Sequence, residues 1–236
     1  MTNADGWPTP QAIKGVIFDI HSTLIDQGDA DEWLELALRA APHDLSSAER
    51  RDLVTFLDVL WEGARISDPD SSRDLSFDAH SRVFHELIAA GPRVDASLSR
   101  VLYDVMLDTW HAYDDTLPTL RALQEAGVRV CLVSNAGVPI ADVLEREGIT
   151  ALVDGVVLSY EVGVVKPNPE IFRVALELLG LSAASVLMVG DNAHDDGGGS
   201  GLGVRTLILP RTRGPIHGLN AVTALVLGVN AAANGR

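Results

Sequence analysis

The sequence predicts an α/β fold in which a helical segment interrupts a parallel sheet after its first strand. Residues 16–18 form a short, β-branched apolar run, which is typical of a buried strand. Helical periodicity without strand signals then continues for about ninety residues. From residue 116 onward, strand and helix patterns alternate. This alternation indicates βαβ units and therefore a parallel sheet.

Composition limits the class of protein. The chain has 236 residues, of which 47% are hydrophobic, so it can form one large domain or two small ones. Its formal net charge of -15 provides no basic stripe for a nucleic-acid backbone. The single cysteine, Cys131, lies in an apolar run and cannot form an internal disulfide. We expect a buried thiol in a reducing compartment and no nucleic-acid partner.

Neither end of the sequence predicts a membrane association. The first residues lack the basic start and apolar core of a signal peptide. The apolar run at residues 221–229 is shorter than the roughly 20 residues that a membrane span requires. We therefore expect a cytoplasmic protein with no membrane partner.

The inserted segment shows four helical patterns. The first places Trp33 and Ala37 on one stripe, and the second begins with a possible capping box formed by Ser46 and Glu49 and extends to Ala64. The third and fourth patterns cover residues 79–90 and 95–111. We predict that residues 27–113 form a helical domain without strands, in which each aromatic side chain belongs to the core.

The alternating region predicts the rest of the sheet. Its strands are predicted at residues 128–133, 156–158, 186–189 and 206–209, and its clearest helix at residues 169–179, closed by Gly180. We predict a core domain made of residues 12–26 and 114–236. The sequence beyond Pro210 carries little signal, and we expect its end to fray.

Polar residues follow the predicted strands where each one ends. Asp19 follows the first strand, Ser134 and Asn135 the second, and Gly190 and Asp191 the fourth. A parallel sheet brings these ends to one edge, where α/β proteins bind ligands. The acidic oxygens suit Mg²⁺, and no cysteine and histidine set suits zinc. The glycine run at residues 197–203 fits neither phosphate-loop pattern, so we expect close packing there.

Four motifs resemble those of the haloacid dehalogenase (HAD) superfamily of hydrolases. They are Phe18-Asp19-Ile20-His21-Ser22-Thr23, Ser134 within LVSNA, Lys166 within VVKPNPEIF, and Gly190, Asp191 and Asp196 within VGDNAHDDGGGSGLG. Each match alone is weak, but four in this order are specific. The resemblance covers nearly the whole chain. It implies a Rossmann-like parallel sheet core with a helical cap domain of the C1 type inserted after the first strand.

The resemblance also implies a two-step phosphoryl transfer. Asp19 would form an aspartyl-phosphate that water then hydrolyses. Ser134, the amide of Asn135 and Lys166 would bind the phosphoryl oxygens. Mg²⁺ would be held by Asp19, the backbone carbonyl of His21 and Asp191, with Asp196 outside its direct ligands. Individually, these residues also suit turns, helix caps or solvated positions, but such roles leave their joint arrangement unexplained.

The first motif departs from the family pattern at His21, where phosphatases usually have a second aspartate that moves protons. A histidine can perform both proton transfers, because its reference pKa of about 6.5 lies near working pH. We predict a Mg²⁺-dependent phosphatase of a small phosphorylated metabolite, with Asp19, His21, Ser134 and Lys166 as catalytic residues. Carbon–halogen displacement by Asp19 and phosphate-ligand binding without turnover remain alternatives. Arg65 and Arg82 are candidate specificity residues, and the oligomeric state is not predicted.

Overall fold

A parallel sheet of five strands lies at the centre of the protein, whose computed structural model describes residues 11–234. The strands of this sheet and of a small two-stranded sheet are, in chain order, β1 (Gly15–Phe18), β2 (Ile25–Asp26), β3 (His111–Ala112), β4 (Arg129–Ser134), β5 (Gly155–Leu158), β6 (Val186–Gly190) and β7 (Arg205–Ile208). The large sheet has the order β5-β4-β1-β6-β7. This arrangement confirms the predicted α/β fold.

The register of the sheet places the predicted site residues at one edge. Phe18 of β1 pairs with Leu132 of β4 and with Val189 of β6, so the three strands end at the same level. Every residue of β1 is buried because helices cover both faces of a central parallel strand. The residues that follow these strands therefore lie side by side.

Helices surround the sheet and fill the segment between β2 and β3. They are α1 (Ala30–Ala40), α2 (Ser47–Asp58), α3 (Leu60–Ser67), α4 (Phe77–Ala89), α5 (Ala96–Asp104), α6 (Thr116–Glu125), α7 (Ala141–Arg146), α8 (Ser159–Val162), α9 (Pro169–Leu179), α10 (Ala193–Asp196) and α11 (Asn220–Asn234). The first five lie in the inserted segment. The domain limits at residues 27 and 113 stay a prediction.

The helical segment differs from its prediction at one helix junction. The capping box at the start of α2 is confirmed, since Ser46 Oγ accepts the amide hydrogen of Glu49 at 3.3 Å and Glu49 Oε2 accepts that of Ser46 at 2.9 Å. The helix does not continue to Ala64 as predicted. It is interrupted at Val59, whose φ of -107° and ψ of 6° are not helical, and the chain restarts as α3. Hydrophobic spacing did not reveal this break, because the apolar pattern continues through it.

A second difference concerns the end of the helical segment. The fourth predicted helix ends at Asp104, and a 3-10 turn (Met106–Thr109) follows. β3 then pairs in antiparallel fashion with β2. The expectation of a segment without strands is therefore wrong at its boundary. The chain leaves the sheet and returns to it at neighbouring positions, and the two connections satisfy their backbone groups by pairing.

Two apolar clusters hold the helices to the sheet. One contains Ile17, Cys131 and Phe172 and lies between the sheet and α9. The other joins Phe18 of the sheet to Trp33 and Phe84 of the helical segment. The helical segment therefore shares a continuous apolar core with the sheet. Cys131 is completely buried, as predicted.

The C-terminal region contains a helix that its weak sequence signal did not predict, while the end of the chain, where we expect fraying, lies outside the described residues. The helix α11 packs on α6, and Leu219 just before it and Val222 and Val226 within it are completely buried. The carboxylate of Asp115 accepts backbone amide hydrogens from His217, Gly218 and Leu219 at 3.1, 2.8 and 2.7 Å. The alanine-rich and asparagine-rich sequence gives a weak periodic signal, although tertiary packing stabilises the helix. Within residues 11–234, no helix has the length and apolar character of a membrane span.

This packing predicts unequal effects of truncating two neighbouring side chains of α11. Val226→Ala removes two buried methyl groups and is expected to lower the free energy of unfolding by about 2 kcal/mol. Leu225 is 39% exposed, so Leu225→Ala is expected to cost about 0.5 kcal/mol. Urea unfolding followed by circular dichroism measures both values. Equal stabilities for the two variants would contradict the packing of α11.

Candidate active site

Asp19 lies directly beyond β1, at the centre of the sheet edge. Its backbone amide donates to the carbonyl of Val189 at 2.9 Å, which continues the pairing with β6 for one residue. Its side chain is buried, with 5% of the residue exposed. The hydroxyl of Thr23 donates to Oδ2 at 3.1 Å, and Lys166 Nζ donates to Oδ1 at 2.6 Å. These two donors fix the orientation of the carboxylate.

Lys166 is the cation at the centre of this site. Its Nζ lies 2.6 Å from Asp19 Oδ1 and 2.7 Å from Asp196 Oδ1, and the residue is 4% exposed. Its backbone is held by the side chain of Asn135, which accepts the amide hydrogen of Lys166 at 2.7 Å and donates to its carbonyl at 3.0 Å. The interpretation of Lys166 as a solvated side chain is therefore wrong.

The fourth motif packs tightly because its first residue is glycine. A Cβ atom on Gly190 would lie 2.0 Å from Asp196 Oδ2, so a larger residue would displace this carboxylate. Asp196 is completely buried, and its Oδ2 accepts the amide hydrogen of Asn192 at 3.0 Å. In the glycine run, close packing is confirmed at Gly198, where a Cβ would lie 2.2 Å from the carbonyl oxygen of Pro167. Gly197 and Gly201 face open space instead.

The predicted site residues line one cleft of about 310 Å³. Its floor is the sheet edge, and its opposite wall comes from the helical segment. From the prediction, the cleft brings together Asp19, His21, Ser134, Asn135, Lys166, Asp191 and Asp196. Ser134 is buried, with 3% exposed. The catalytic and binding roles assigned to these residues stay predictions, whereas their convergence is an observation.

Negative charge exceeds positive charge at the sheet edge. Burial raises the pKa of Asp19 to about 7, and the carboxylates of Asp196 and Asp191 add to this against the attraction of Lys166. Burial also raises the pKa of Asp191, against the attraction of Arg65. Burial alone would lower the pKa of Lys166, but Asp19 and Asp196 outweigh it and raise that pKa. The site therefore favours an additional cation.

The donors at this edge fit Mg²⁺. Among the described residues, no three histidine, cysteine, aspartate or glutamate side chains converge on a metal position. A metal site here would therefore combine the carboxylates of Asp19 and Asp191 with a backbone carbonyl, water and substrate oxygens. Mg²⁺ is bound in this way, by one or two carboxylates together with water and phosphate. The residues present fit the ion that the sequence predicted.

His21 lies between two tryptophan rings that the sequence interpretation assigned to the core. Its ring centroid lies 4.9 Å from that of Trp61 and 4.6 Å from that of Trp110. Nε2 is buried and has no hydrogen-bond partner among the described residues. The nearby side chain of Gln27 raises the pKa of the ring, but it does not offset the effect of burial. Burial, together with the positive charge of Arg65, lowers the pKa of His21 to about 3. The ring is therefore neutral at neutral pH.

The residue after His21 adopts a backbone conformation that favours glycine. Ser22 has a φ of 68°, in the left-handed region that favours glycine. A non-glycine residue there costs about 1 kcal/mol. The turn is nevertheless held, because the amide of Ser22 donates to the carbonyl of Ile25 at 2.7 Å.

The parallel sheet and the acidic cleft around a buried lysine define an α/β fold with a candidate hydrolase site at the sheet edge. The chain belongs to the haloacid dehalogenase-like hydrolase family, because the sequence model of that family matches residues 13–203. This match confirms the family prediction and covers the helical segment and four of the five strands of the large sheet.

Relatives of known activity fall into two chemical classes. The chain is 31% identical over 194 residues to a glyceraldehyde 3-phosphate phosphatase of Methanopyrus kandleri, covering 78% of each chain. It is 31% identical over 207 residues to (S)-2-haloacid dehalogenase 1 of Pseudomonas sp., covering 86% of this chain and 87% of that one. The structure of the HAD hydrolase YfnB of Bacillus subtilis, bound to magnesium, shares the fold with a TM-score of 0.68 and 19% identity, over 92% of this chain and 99% of that one.

The lowered pKa of His21 predicts that its ring stays unprotonated over a wide pH range. Because burial lowers its pKa to about 3, its ring carbon resonances should not shift between pH 8 and pH 5 in the metal-free protein. His43 is the internal control. The carbonyl of Ala41 and the carboxylate of Asp95 raise its pKa above the ordinary value, so it should take up a proton in this range. NMR titration measures both, and a His21 midpoint near the ordinary value would contradict this environment.

Proposed function

We propose that the protein is a Mg²⁺-dependent phosphatase that hydrolyses a small phosphorylated metabolite through an aspartyl-phosphate on Asp19. The observation that carries the proposal is the cluster of Asp19, Lys166 and Asp196, with Asp191 in the same cleft. A carbon–halogen displacement needs the nucleophile but no metal and no second acidic group. The excess negative charge supports the phosphatase, because a divalent cation would balance it.

In the first step, a carboxylate oxygen of Asp19 attacks phosphorus, the new O–P bond forms, and the ester P–O bond breaks. The electron pair of that bond passes to the alcohol oxygen, which takes a proton from the imidazolium form of His21 and leaves the ring neutral. Thr23 and Lys166 hold the carboxylate in one orientation, which lowers the entropic cost of attack. The hydroxyl of Ser134, the backbone amide of Asn135 and the ammonium group of Lys166 would bind the phosphoryl oxygens. Asn135 also positions Lys166 through its side chain.

Asp19, Asp191 and the backbone carbonyl of His21 would hold the magnesium ion. When bound, Mg²⁺ supplies positive charge that offsets the repulsion between carboxylate and phosphate. Asp196 would remain outside the direct ligands, since its carboxylate already accepts from Lys166 and from the amide of Asn192. Its role is to anchor Lys166.

In the second step, water attacks phosphorus, the O–P bond to Asp19 breaks, and inorganic phosphate leaves. We assign the proton transfers to His21, which lines the cleft next to Asp19. The neutral ring can accept the proton of the attacking water. A dianionic phosphoryl group nearby would raise the proton affinity of the ring, against the effects of burial and of Arg65.

Dehalogenation is the second candidate, and the similarity to the Pseudomonas sp. dehalogenase favours it. There, Asp19 would attack a carbon atom, halide would leave, and water would hydrolyse the ester. A halide needs no proton, so a neutral His21 would not hinder this reaction. Halide release from a 2-haloacid that is insensitive to a metal chelator would support this candidate over the phosphatase.

Asp19→Asn is expected to abolish metal-dependent phosphate release from a panel of phosphate monoesters. The loss should be about a thousandfold or more, because the amide removes the nucleophile while keeping its shape. Released phosphate is measured with Mg²⁺, with chelator, and after Mg²⁺ is restored. Asp142→Asn, on the exposed face of α7, is the control and should keep full activity. Full activity in Asp19→Asn would exclude the proposed nucleophile.

His21→Asp separates a phosphatase from a protein that binds phosphate ligands without turnover. In a working phosphatase, the change is expected to alter the pH dependence of kcat, because an aspartate donates its proton as a neutral acid and histidine as a cation. The wild-type protein should already release phosphate. Phosphate release that appears only in the aspartate variant, with ligand-induced stabilisation of the wild type, would favour the binding protein.

A further inference from the structure

Arg65 is the most weakly paired cation of the cleft. It lies on α3, its side chain is 45% exposed, and its Nη2 lies 3.5 Å from Asp191 Oδ2. Among the residues that the structure describes, Asp191 is the one carboxylate with which it forms an ion pair. The guanidinium group therefore retains most of its hydrogen-bonding capacity for a ligand.

The other cations that line the cleft are already neutralised. Lys166 contacts two carboxylates at 2.6 and 2.7 Å. The remaining arginines pair with acidic side chains at 3.3 Å or less: Arg73 with Asp68 and Asp74, Arg211 with Asp26, and Arg213 with Asp58. The second candidate specificity residue, Arg82, is exposed on α4 and does not line the cleft. The geometry distinguishes Arg65 from all of them.

We propose that Arg65 binds a carboxylate of the substrate, so that the substrate class is a short phosphate monoester that also carries a carboxylate. This inference rests on the proposed function. In that function Asp191 holds Mg²⁺, which draws its carboxylate away from Arg65. A planar guanidinium group then matches a carboxylate through two parallel hydrogen bonds.

The rest of the cleft limits the substrate. A volume of about 310 Å³ admits a molecule of a few carbon atoms beside the phosphoryl group. Trp61, Trp110 and Ile140 provide apolar lining for the carbon chain. Glu62 lies on the same wall as Arg65 and would repel a dianion more strongly than a monoanion. This charge pattern favours a carboxylate over a second phosphate.

The test compares two stable ligands that differ in one group, 3-phosphonopropionate and propylphosphonate. Isothermal titration calorimetry measures their affinities for the Mg²⁺-loaded protein. The wild type is expected to bind 3-phosphonopropionate about tenfold more tightly or better, because a charged hydrogen-bonded pair is added. Arg65→Gln is expected to remove this preference, Arg65→Lys to retain part of it, and Arg82→Gln to leave it unchanged.

The ratio of the two affinities distinguishes substrate binding from a structural role. If Arg65 only held Asp191 in place, its loss would weaken both ligands equally and leave the ratio intact. An unchanged ratio in Arg65→Gln, equal affinities in the wild type, or no binding of either ligand would overturn the inference. Tighter binding of propane-1,3-bisphosphonate than of 3-phosphonopropionate would also overturn it. Phosphate release from the monoester panel is measured separately, and its absence would count against the proposed function instead.

Discussion

The buried ammonium group of Lys166 is the constraint on which the rest of the site depends. A buried, unpaired charge is strongly unfavourable, so Lys166 needs its two carboxylate partners, Asp19 and Asp196. These three residues come from the loop after β1, the loop before α9 and the end of α10. Their pairing fixes the position of three loops relative to one another. Gly190 belongs to the same constraint, because a side chain there would displace Asp196.

The same pairing leaves the site acidic. One ammonium group cannot balance Asp19, Asp191 and Asp196. Burial raises the pKa of Asp19, and the carboxylates of Asp196 and Asp191 raise it as well, against the attraction of Lys166. The helical segment contributes part of the missing positive charge through Arg65, which forms a long ion pair of 3.5 Å with Asp191. A divalent cation would replace this contact and release Arg65. In the proposed function, metal binding and substrate selection would thereby be linked through the carboxylate of Asp191.

The sequence predicts the sheet and the four motifs well because both depend on local patterns. Apolar runs indicate the strands, and each motif stands directly after one of them or before α9. The break at Val59, the pairing of β2 with β3 and the helix α11 depend on tertiary contacts, which no local pattern reports. The contacts of His21 also depend on tertiary structure, because Trp61 and Trp110 lie far from it in the chain. The spacing of the aromatic residues alone indicated only that they belong to a core.

The two halves of a phosphatase reaction make opposite demands on the ring of His21. The first half needs a proton for the leaving oxygen, which a neutral imidazole provides poorly, whereas the second half needs a proton acceptor, which a neutral imidazole provides. A ring that starts the cycle neutral therefore suits a leaving group that is stable as an anion. Halide is such a group, whereas the alcohol of a phosphate monoester leaves only after the bound phosphoryl group has raised the proton affinity of His21. In the proposed phosphatase, the contacts of His21 with Trp61 and Trp110 and the positive charge of Arg65 would therefore oppose the protonation that the first half of the reaction requires.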